Sequence, residues 1–168
     1  MTKSVSIPTF FSVFVLIAIL SCSPKLSPTI SPANIPPEKV AIGDNMEGSI
    51  VRYVNDHRRS LGLPSLEMNG EANRQAYQHS KDMANRKTGF GHEGFDQRMQ
   101  VIKQKTGWIT ASAENVAYGQ LSAKEVVKGW LNSPGHKKNI EGDYRFTGVG
   151  IYKDSKGIIF FTQIFFRN

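Results

Sequence analysis

The sequence lacks a second cysteine. Cys22 is the only one among 168 residues, so the chain has no intramolecular disulfide. This excludes the class of small, disulfide-stapled secreted domains. The stability of the folded part must therefore come from side-chain packing.

The sequence also lacks an N-terminal apolar run long enough to span a bilayer. The run Phe10 to Leu20 is interrupted only by Ser12 and has 11 residues, whereas a spanning helix needs about 20. A short positive region with Lys3 precedes it, which is typical of a signal peptide. We therefore predict that residues 1–21 are a signal peptide and that the protein is exported.

The apolar run ends at Ile19-Leu20-Ser21-Cys22. This resembles the bacterial lipobox, in which the cysteine is lipidated and becomes the first residue of the mature protein, although Leu20 is less usual at its position. The alternative is an ordinary signal peptide followed by an unpaired cysteine. We predict lipidation of Cys22, with an acyl chain such as palmitate anchoring the protein to a bacterial membrane on its periplasmic or cell-surface side.

The sequence also lacks a region in which charge of one sign is concentrated. The net charge is +7, but basic residues occur singly or in pairs such as Arg58-Arg59 and Lys137-Lys138. No basic stripe with interleaved aromatic residues is present, which argues against nucleic acid as a partner. The charge fits solubility beside an anionic envelope.

Proline is concentrated in one segment. Five of the eight prolines lie in residues 23–41, separated mainly by Ser and Thr, a composition typical of an extended tether. We predict a signal peptide over 1–21, a tether over 22–41 that begins at lipidated Cys22, and one folded domain over 42–168. We expect a monomer.

Within the domain, helical patterns come first and strand patterns last. Helical periodicity marks "MEGSIVRYVNDHRRS", "NGEANRQAYQHSKDMANR", "FDQRMQVI" and "SAKEVVKGWLN"; in the last, Ser122 and Glu125 form a capping-box pair. "RFTGVGIYK" and "GIIFFTQIFF" predict an antiparallel hairpin, whereas "TGWITASAENVAYGQ" fits no single pattern. Because the final strand is apolar on both faces, we predict an α+β fold: a three-layer α-β-α sandwich with a small antiparallel sheet between helices.

The segment "WLNSPGHKKNI" places a histidine directly after a helix break. Pro134 and Gly135 end the preceding helix. Ser133 can cap a new short helix that has Pro134 at its first position. His136 then occupies the third position, with Asn139 on the same face.

Several motifs together resemble one family. "NDHRRSLGLPSL", "GHEGFDQRM", "AENVAYG", "WLNSPGHKKNI", "TGVGI" and "FFTQIF" occur in this order, as in the bacterial branch of the CAP superfamily, also called SCP-like. Its eukaryotic members include cysteine-rich secretory proteins, antigen 5 and pathogenesis-related proteins. The resemblance covers roughly residues 46–166. It implies the same α-β-α sandwich that the residue patterns predict.

The resemblance also implies a cleft. Eukaryotic members carry two histidines and two acidic residues there, sometimes with zinc. The first histidine corresponds to His92 and the glutamate of the "GEN" motif to Glu114. The second acid and second histidine correspond to Ser133 and Phe160, so this sequence departs from the pattern twice. Bacterial members carry the "SPGH" histidine instead, here His136.

His92, Glu114 and His136 form the candidate ligand set. Two histidines and a carboxylate are typical of a catalytic zinc site, and zinc would activate a water molecule. Without metal, Glu114 could act as a base and a histidine as an acid. Alternatively, the three side chains are a hydrogen-bonded brace between loops. Their wide spacing does not decide between these readings.

Other residues join the predicted cleft or stay outside it. By resemblance Gln163 lies on the strand under the cleft, and Asn139 shares a helical face with His136. Glu93 is the reserve acid should Glu114 point away. His57 and His79 lie within helices, where we expect them to be surface or packing residues.

Three functions remain open. The first is a module that binds an envelope, lipid or protein ligand in the cleft. The second is a hydrolase of peptide or cell-wall polymer that uses the histidine–glutamate cluster. The third is a structural envelope protein. The departures at Ser133 and Phe160 favour binding, and the sequence designates no catalytic residue.

Overall fold

The computed structural model describes residues 46–168. The predicted signal peptide, the predicted lipidation site Cys22 and the predicted tether lie outside the described residues. Lipidation of Cys22, the signal peptide and the tether therefore remain predictions.

The described chain contains five helices and four strands, and it ends with two consecutive strands. The helices are α1 (Met46–Ser60), α2 (Gly70–Ala84), α3 (Phe95–Thr106), α4 (Ala123–Leu131) and α5 (Pro134–Ile140), and the strands are β1 (Glu67–Met68), β2 (Ala111–Tyr118), β3 (Phe146–Lys153) and β4 (Ile159–Arg167). The four predicted helices are confirmed. The unassigned segment "TGWITASAENVAYGQ" contains β2.

Side chains cap the first turns of α2 and α4, the latter at the predicted residue Ser122. Asn69 Oδ1 accepts a hydrogen bond from the Ala72 amide at 3.0 Å, and Ser122 Oγ accepts one from the Glu125 amide at 3.2 Å. The reciprocal half of the predicted capping box is shifted by one residue, because the Glu125 carboxylate accepts from the Leu121 amide at 2.8 Å. Both caps satisfy amides that the helix itself leaves unpaired.

The sheet has the strand order β1-β3-β4-β2. The predicted hairpin of β3 and β4 is confirmed, and β2 pairs antiparallel with β4 from Ala111–Arg167 to Tyr118–Phe160. Only the two-residue strand β1 pairs parallel, with β3. The sheet is therefore antiparallel except at one short edge.

Helices cover both faces of β4, as its two apolar faces predict. Phe161 and Phe165 pack into a core with side chains of α1, α4 and the end of α5. Ile164 and Phe166 pack into a second core with side chains of α2 and α3. The three-layer α-β-α prediction is confirmed.

Helix α2 lies directly against the backbone of β3. A Cβ atom added to Gly150 would lie 1.9 Å from the Tyr77 nitrogen and 2.2 Å from the Ala76 carbonyl carbon, and one added to Gly148 would lie 2.2 Å from the Ala72 carbonyl carbon. These neighbours are main-chain atoms that no rotamer change can move. The two glycines of "TGVGI" therefore set the distance between helix and sheet.

Arg58 fixes the segment that follows α5. Its side chain is buried, and its guanidinium donates to the carbonyl oxygens of Pro64 at 2.8 Å, Ile140 at 2.7 Å and Gly142 at 2.8 Å. Burial lowers the pKa of Arg58, although Asp143 nearby opposes the effect. Since Ile140 ends α5, these bonds hold in place the helix that carries His136.

None of the helices over residues 46–168 combines the length and the apolar character that crossing a membrane requires.

Candidate functional site

Glu114 is the centre of a buried ion pair. It lies on β2 with 1% of its side chain exposed, and it faces the α2–α3 layer. Arg98 of α3 donates from Nε to Oε2 at 2.9 Å and from Nη2 to Oε1 at 2.8 Å. This is the two-point guanidinium–carboxylate geometry that makes such pairs strong and well oriented.

His92 hydrogen-bonds to the same carboxylate. Its Nδ1 lies 3.0 Å from Glu114 Oε1, while 54% of its side chain remains exposed. A carboxylate that pairs with Arg98 only accepts hydrogen bonds, so Nδ1 must carry the proton. In neutral His92 this leaves Nε2 as the free acceptor. We call His92, Glu114 and Arg98 the His92–Glu114 site.

His79 belongs to this cluster, which the sequence did not indicate. It is a packing residue, as predicted, with 2% exposure, but its Nε2 donates to the Gly91 carbonyl at 2.8 Å and lies 3.8 Å from Glu114 Oε1. Burial lowers the pKa of His79, although the hydrogen bond to Gly91 and the charge of Glu114 oppose the effect. His79 therefore acts as a neutral donor that holds the loop carrying His92.

Helix α5 is tied to β2 by two asparagines. The Asn115 side-chain amide donates to the His136 carbonyl at 3.1 Å. The Asn139 amide donates to the Glu114 carbonyl at 3.2 Å and to Asn115 Oδ1 at 2.9 Å. Pro134 stands at the first position of α5 as predicted, and Ser133 stands at its N-cap, but the Ser133 hydroxyl makes no capping hydrogen bond.

His136 is partly buried on α5. Burial lowers its pKa, and nearby His92 lowers it further. Of the predicted site residues, His92 and Glu114 are therefore in direct contact, and His136 lies near His92. Asn139 contacts Glu114 only at the main-chain carbonyl of Glu114.

Gln163 lies elsewhere than predicted. It is fully buried on β4 and donates to Thr147 Oγ1 at 3.0 Å. It pairs across strands with Asn115, whereas Ile164 pairs with Glu114. Because neighbouring residues of a strand point to opposite faces, Gln163 faces away from the Glu114 carboxylate and lines no open part of the His92–Glu114 site.

The predicted reserve acid Glu93 has a different contact. It is exposed, and its Oε2 accepts a hydrogen bond from the Gly89 amide at 3.3 Å. Since Glu114 points into the cluster, no reserve acid is needed there. His57 hydrogen-bonds to Glu141 at 2.8 Å and makes no contact with the Glu114 carboxylate.

The donor set does not fit a zinc ion in this arrangement. Within residues 46–168 no three histidine, cysteine, aspartate or glutamate side chains are placed to share one ion. Both Glu114 oxygens bond to Arg98, and the positive charge of Arg98 would oppose a cation beside them. The zinc prediction stays a prediction.

What the His92–Glu114 site can do follows from its geometry. A histidine that donates through Nδ1 to a fixed carboxylate presents Nε2 to solvent in a defined orientation. It can hydrogen-bond a ligand or accept a proton. In the part of the chain that the structure describes, no hydroxyl or thiol side chain hydrogen-bonds to His92 as a nucleophile would.

Comparison with known proteins places this chain in a family. The profile of the cysteine-rich secretory protein family, CAP, matches residues 51–165, which run from α1 through both His92 and Glu114 into β4. The chain belongs to the CAP family. The resemblance carried by its motifs is thereby confirmed.

Its relatives include bacterial proteins. The uncharacterized protein YkwD of Bacillus subtilis is 32% identical over 119 residues, which are 70% of this chain and 46% of that protein. An extracellular protein containing an SCP domain from Bacillus anthracis is 28% identical with a TM-score of 0.63, over 73% of this chain and 40% of that one. The chain thus spans less than half the length of either protein.

A third comparison shows the fold alone. An outer surface protein of Borrelia burgdorferi is 23% identical with a TM-score of 0.64, and the match covers 74% of this chain and 96% of that one. The shared α-β-α fold therefore makes up nearly the whole of that chain.

Acidification is expected to destabilise the fold before the carboxylates protonate. The folded-state pKa values of His79 and His136 are lowered, so below about pH 6.5, the unfolded histidine value, the unfolded chain binds more protons. The free energy of unfolding should therefore fall as pH falls from 7.5 to 5.5. Urea unfolding at both pH values measures this.

The His136→Asn variant should show a shallower fall over the same range. Glu71, whose pKa is lowered from 4.5 by hydrogen bonds from Gln75 and Arg74, adds pH dependence only in the more acidic range. A stability that rises between pH 7.5 and 5.5 would contradict the burial of neutral histidines.

Proposed function

We propose that this chain is an exported, membrane-anchored CAP-domain lipoprotein that binds a lipid, wall-polymer or protein ligand of the bacterial envelope at the His92–Glu114 site. One observation carries the proposal. His92 is half exposed, yet its orientation is fixed by a carboxylate whose two oxygens both bond to Arg98. Such a site presents a fixed imidazole edge and keeps no carboxylate free as a base.

Export is supported by the character of the relatives and by the first residues of the chain. The Bacillus anthracis neighbour is described as extracellular and the Borrelia neighbour as an outer surface protein. Here the short apolar run ends at Cys22, the only cysteine. A lipidated Cys22 followed by a proline-rich tether would hold the CAP domain at a membrane surface.

Replacing Cys22 by alanine is expected to release the protein from the membrane. The chain expressed in a bacterium should take up a clickable palmitate analogue and sediment with membranes, whereas the C22A chain should do neither. A Ser21→Ala chain is the control, since alanine keeps a small residue before the cysteine. Palmitate uptake by the C22A chain, or none by the wild type, would overturn the anchor.

Replacing His92 by alanine is expected to weaken ligand binding with little loss of stability. Because about half of the side chain is exposed, the free energy of unfolding measured with urea should fall by about 0.5 kcal/mol or less. Co-sedimentation with purified bacterial wall sacculi and with lipid vesicles measures binding.

The control is His57→Ala, which removes a histidine bonded to Glu141 away from the site and should leave binding unchanged. A His92→Ala protein that binds both sacculi and vesicles as tightly as the wild type would contradict the proposed site.

Hydrolysis is a second candidate, and one observation favours it. A histidine that donates Nδ1 to a carboxylate and leaves Nε2 exposed is arranged like a general base for a water molecule. Release of soluble fragments from dye-labelled sacculi by the wild type, lost in His92→Ala, would make the protein a hydrolase. Binding without release supports the primary proposal.

A further inference from the structure

A second concave surface lies outside the His92–Glu114 site. It has a volume of about 550 Å³ and is formed by the end of α2, the loop after it and the ends of β2 and β4. We call it the aromatic groove. Its lining includes the rings of Phe90, Tyr118 and Phe160 and the charged residues Arg86, Lys87 and Glu93.

The three rings form a continuous platform. The Phe90 and Tyr118 ring centres are 4.8 Å apart at an angle of 72°, and those of Tyr118 and Phe160 are 5.6 Å apart at 19°. Phe90 and Tyr118 each remain 53% exposed. Paired aromatic rings that keep half their surface in water offer apolar faces to a ligand.

The rim holds a cation in an unfavourable backbone conformation. Arg86 has φ +57°, and its amide bonds to the Met83 carbonyl while the Lys87 amide bonds to the Asp82 carbonyl. This is the Schellman ending of a helix, in which the left-handed position is normally glycine. An arginine there costs on the order of 1 kcal/mol, so stability alone would favour glycine.

Of the two cations in the groove, Arg86 is the one without an ion pair among the described residues. Among residues 46–168 it takes part in no salt bridge, whereas neighbouring Lys87 lies 3.6 Å from Asp82. Glu93, the acidic residue in the lining, accepts a hydrogen bond from the Gly89 amide and forms no salt bridge with Arg86.

We propose that the aromatic groove binds a sugar ring that carries a carboxylate, as found in acidic glycans. The apolar C–H face of the ring packs on Phe90 and Tyr118, and the carboxylate pairs with Arg86. The groove is open and rimmed by charge, which suits an elongated polar ligand better than an acyl chain that needs an enclosed apolar cavity. The proposal goes beyond binding at His92 and does not depend on it.

The groove lies close enough to the His92–Glu114 site for one polymer to contact both. Phe90 precedes His92 by two residues. Tyr118 and Glu114 point to the same face of β2, four residues apart, which is about 13 Å along a strand. A chain of a few sugar rings covers such a distance.

Calorimetric titration of the full chain with two tetrasaccharides tests the proposal. One is the neutral tetramer of N-acetylglucosamine, and the other alternates N-acetylglucosamine with N-acetylmuramic acid and carries free carboxylates. The acidic tetramer should bind about tenfold tighter, the worth of one charged hydrogen-bonded pair. Phe90→Ala should weaken binding of both.

The deciding variant is Arg86→Gly. It should unfold at higher urea concentration than the wild type, because glycine relieves the left-handed conformation, and yet lose the preference for the acidic tetramer. Arg86→Lys should keep that preference. The control Trp108→Ala removes a ring that is 70% exposed and lies under Lys103, outside the groove, and should change neither affinity.

Several results would overturn the proposal. They are equal affinities of the wild type for the two tetramers, an unchanged preference in Arg86→Gly, and no binding of either sugar. Capture of vesicles rich in anionic lipid through Arg86 and Phe90, with no sugar binding, would also overturn it and make the groove a membrane contact.

Discussion

Replacing Gly150 by alanine is expected to lower the free energy of unfolding by about 4 kcal/mol or more. The added Cβ would lie 1.9 Å from the Tyr77 nitrogen and 2.2 Å from the Ala76 carbonyl carbon. Helix α2 must then move away from β3, and its buried contacts loosen. Because a domain of this size has about 5–15 kcal/mol of stability in total, urea unfolding should show a large drop in midpoint or no folded baseline.

Gly129 provides the matched control. It lies within α4, and a Cβ atom added there meets nothing within 4 Å. Gly129→Ala should stabilise the protein by about 0.5–1 kcal/mol, the gain of alanine over glycine inside a helix. A Gly150→Ala protein within 1 kcal/mol of the wild type would mean that α2 does not rest on the backbone of β3.

Replacing Glu114 by leucine is expected to cost about 3–5 kcal/mol, because the guanidinium of Arg98 is left buried without a carboxylate. Leucine fills a similar volume, so lost packing contributes little. Arg98→Met should cost a comparable amount, since it leaves the Glu114 charge buried. Urea unfolding of both variants measures the two losses.

The double variant tests whether the two residues act as one unit. Arg98→Met combined with Glu114→Leu should be more stable than either single variant, because neither charge is then left alone. Additive losses would mean that the two side chains do not depend on each other, and the Glu114–Arg98 pair could not be the support that orients His92.

The final hairpin and the four predicted helices could be derived from the sequence because local patterns specify them. Asn69 and Ser122 mark helix starts by a side-chain oxygen that caps the first turn. The apolar faces of β4 predict a layer of helices on each side. Strand β2 could not be recognised, because its buried positions Glu114 and Asn115 are polar and hide the apolar alternation of a strand.

The site was predicted in part. Family motifs pointed to His92 and Glu114, which touch. They did not point to Arg98 or His79, because only the packing of α2 and α3 against the sheet brings those side chains to Glu114. Gln163 was misplaced for a similar reason. Its face depends on the pairing of β4 with β2, and the sequence does not give that register.

The hydrogen bond between His92 Nδ1 and Glu114 fixes the tautomer of His92. Long-range proton–nitrogen NMR correlation of the imidazole, recorded on the wild-type protein at a pH where His92 is neutral, tests it most directly. The account predicts a proton on Nδ1 and none on Nε2. A proton on Nε2, or the mixture of tautomers typical of an unconstrained histidine, would contradict it and leave the His92–Glu114 site without a fixed imidazole.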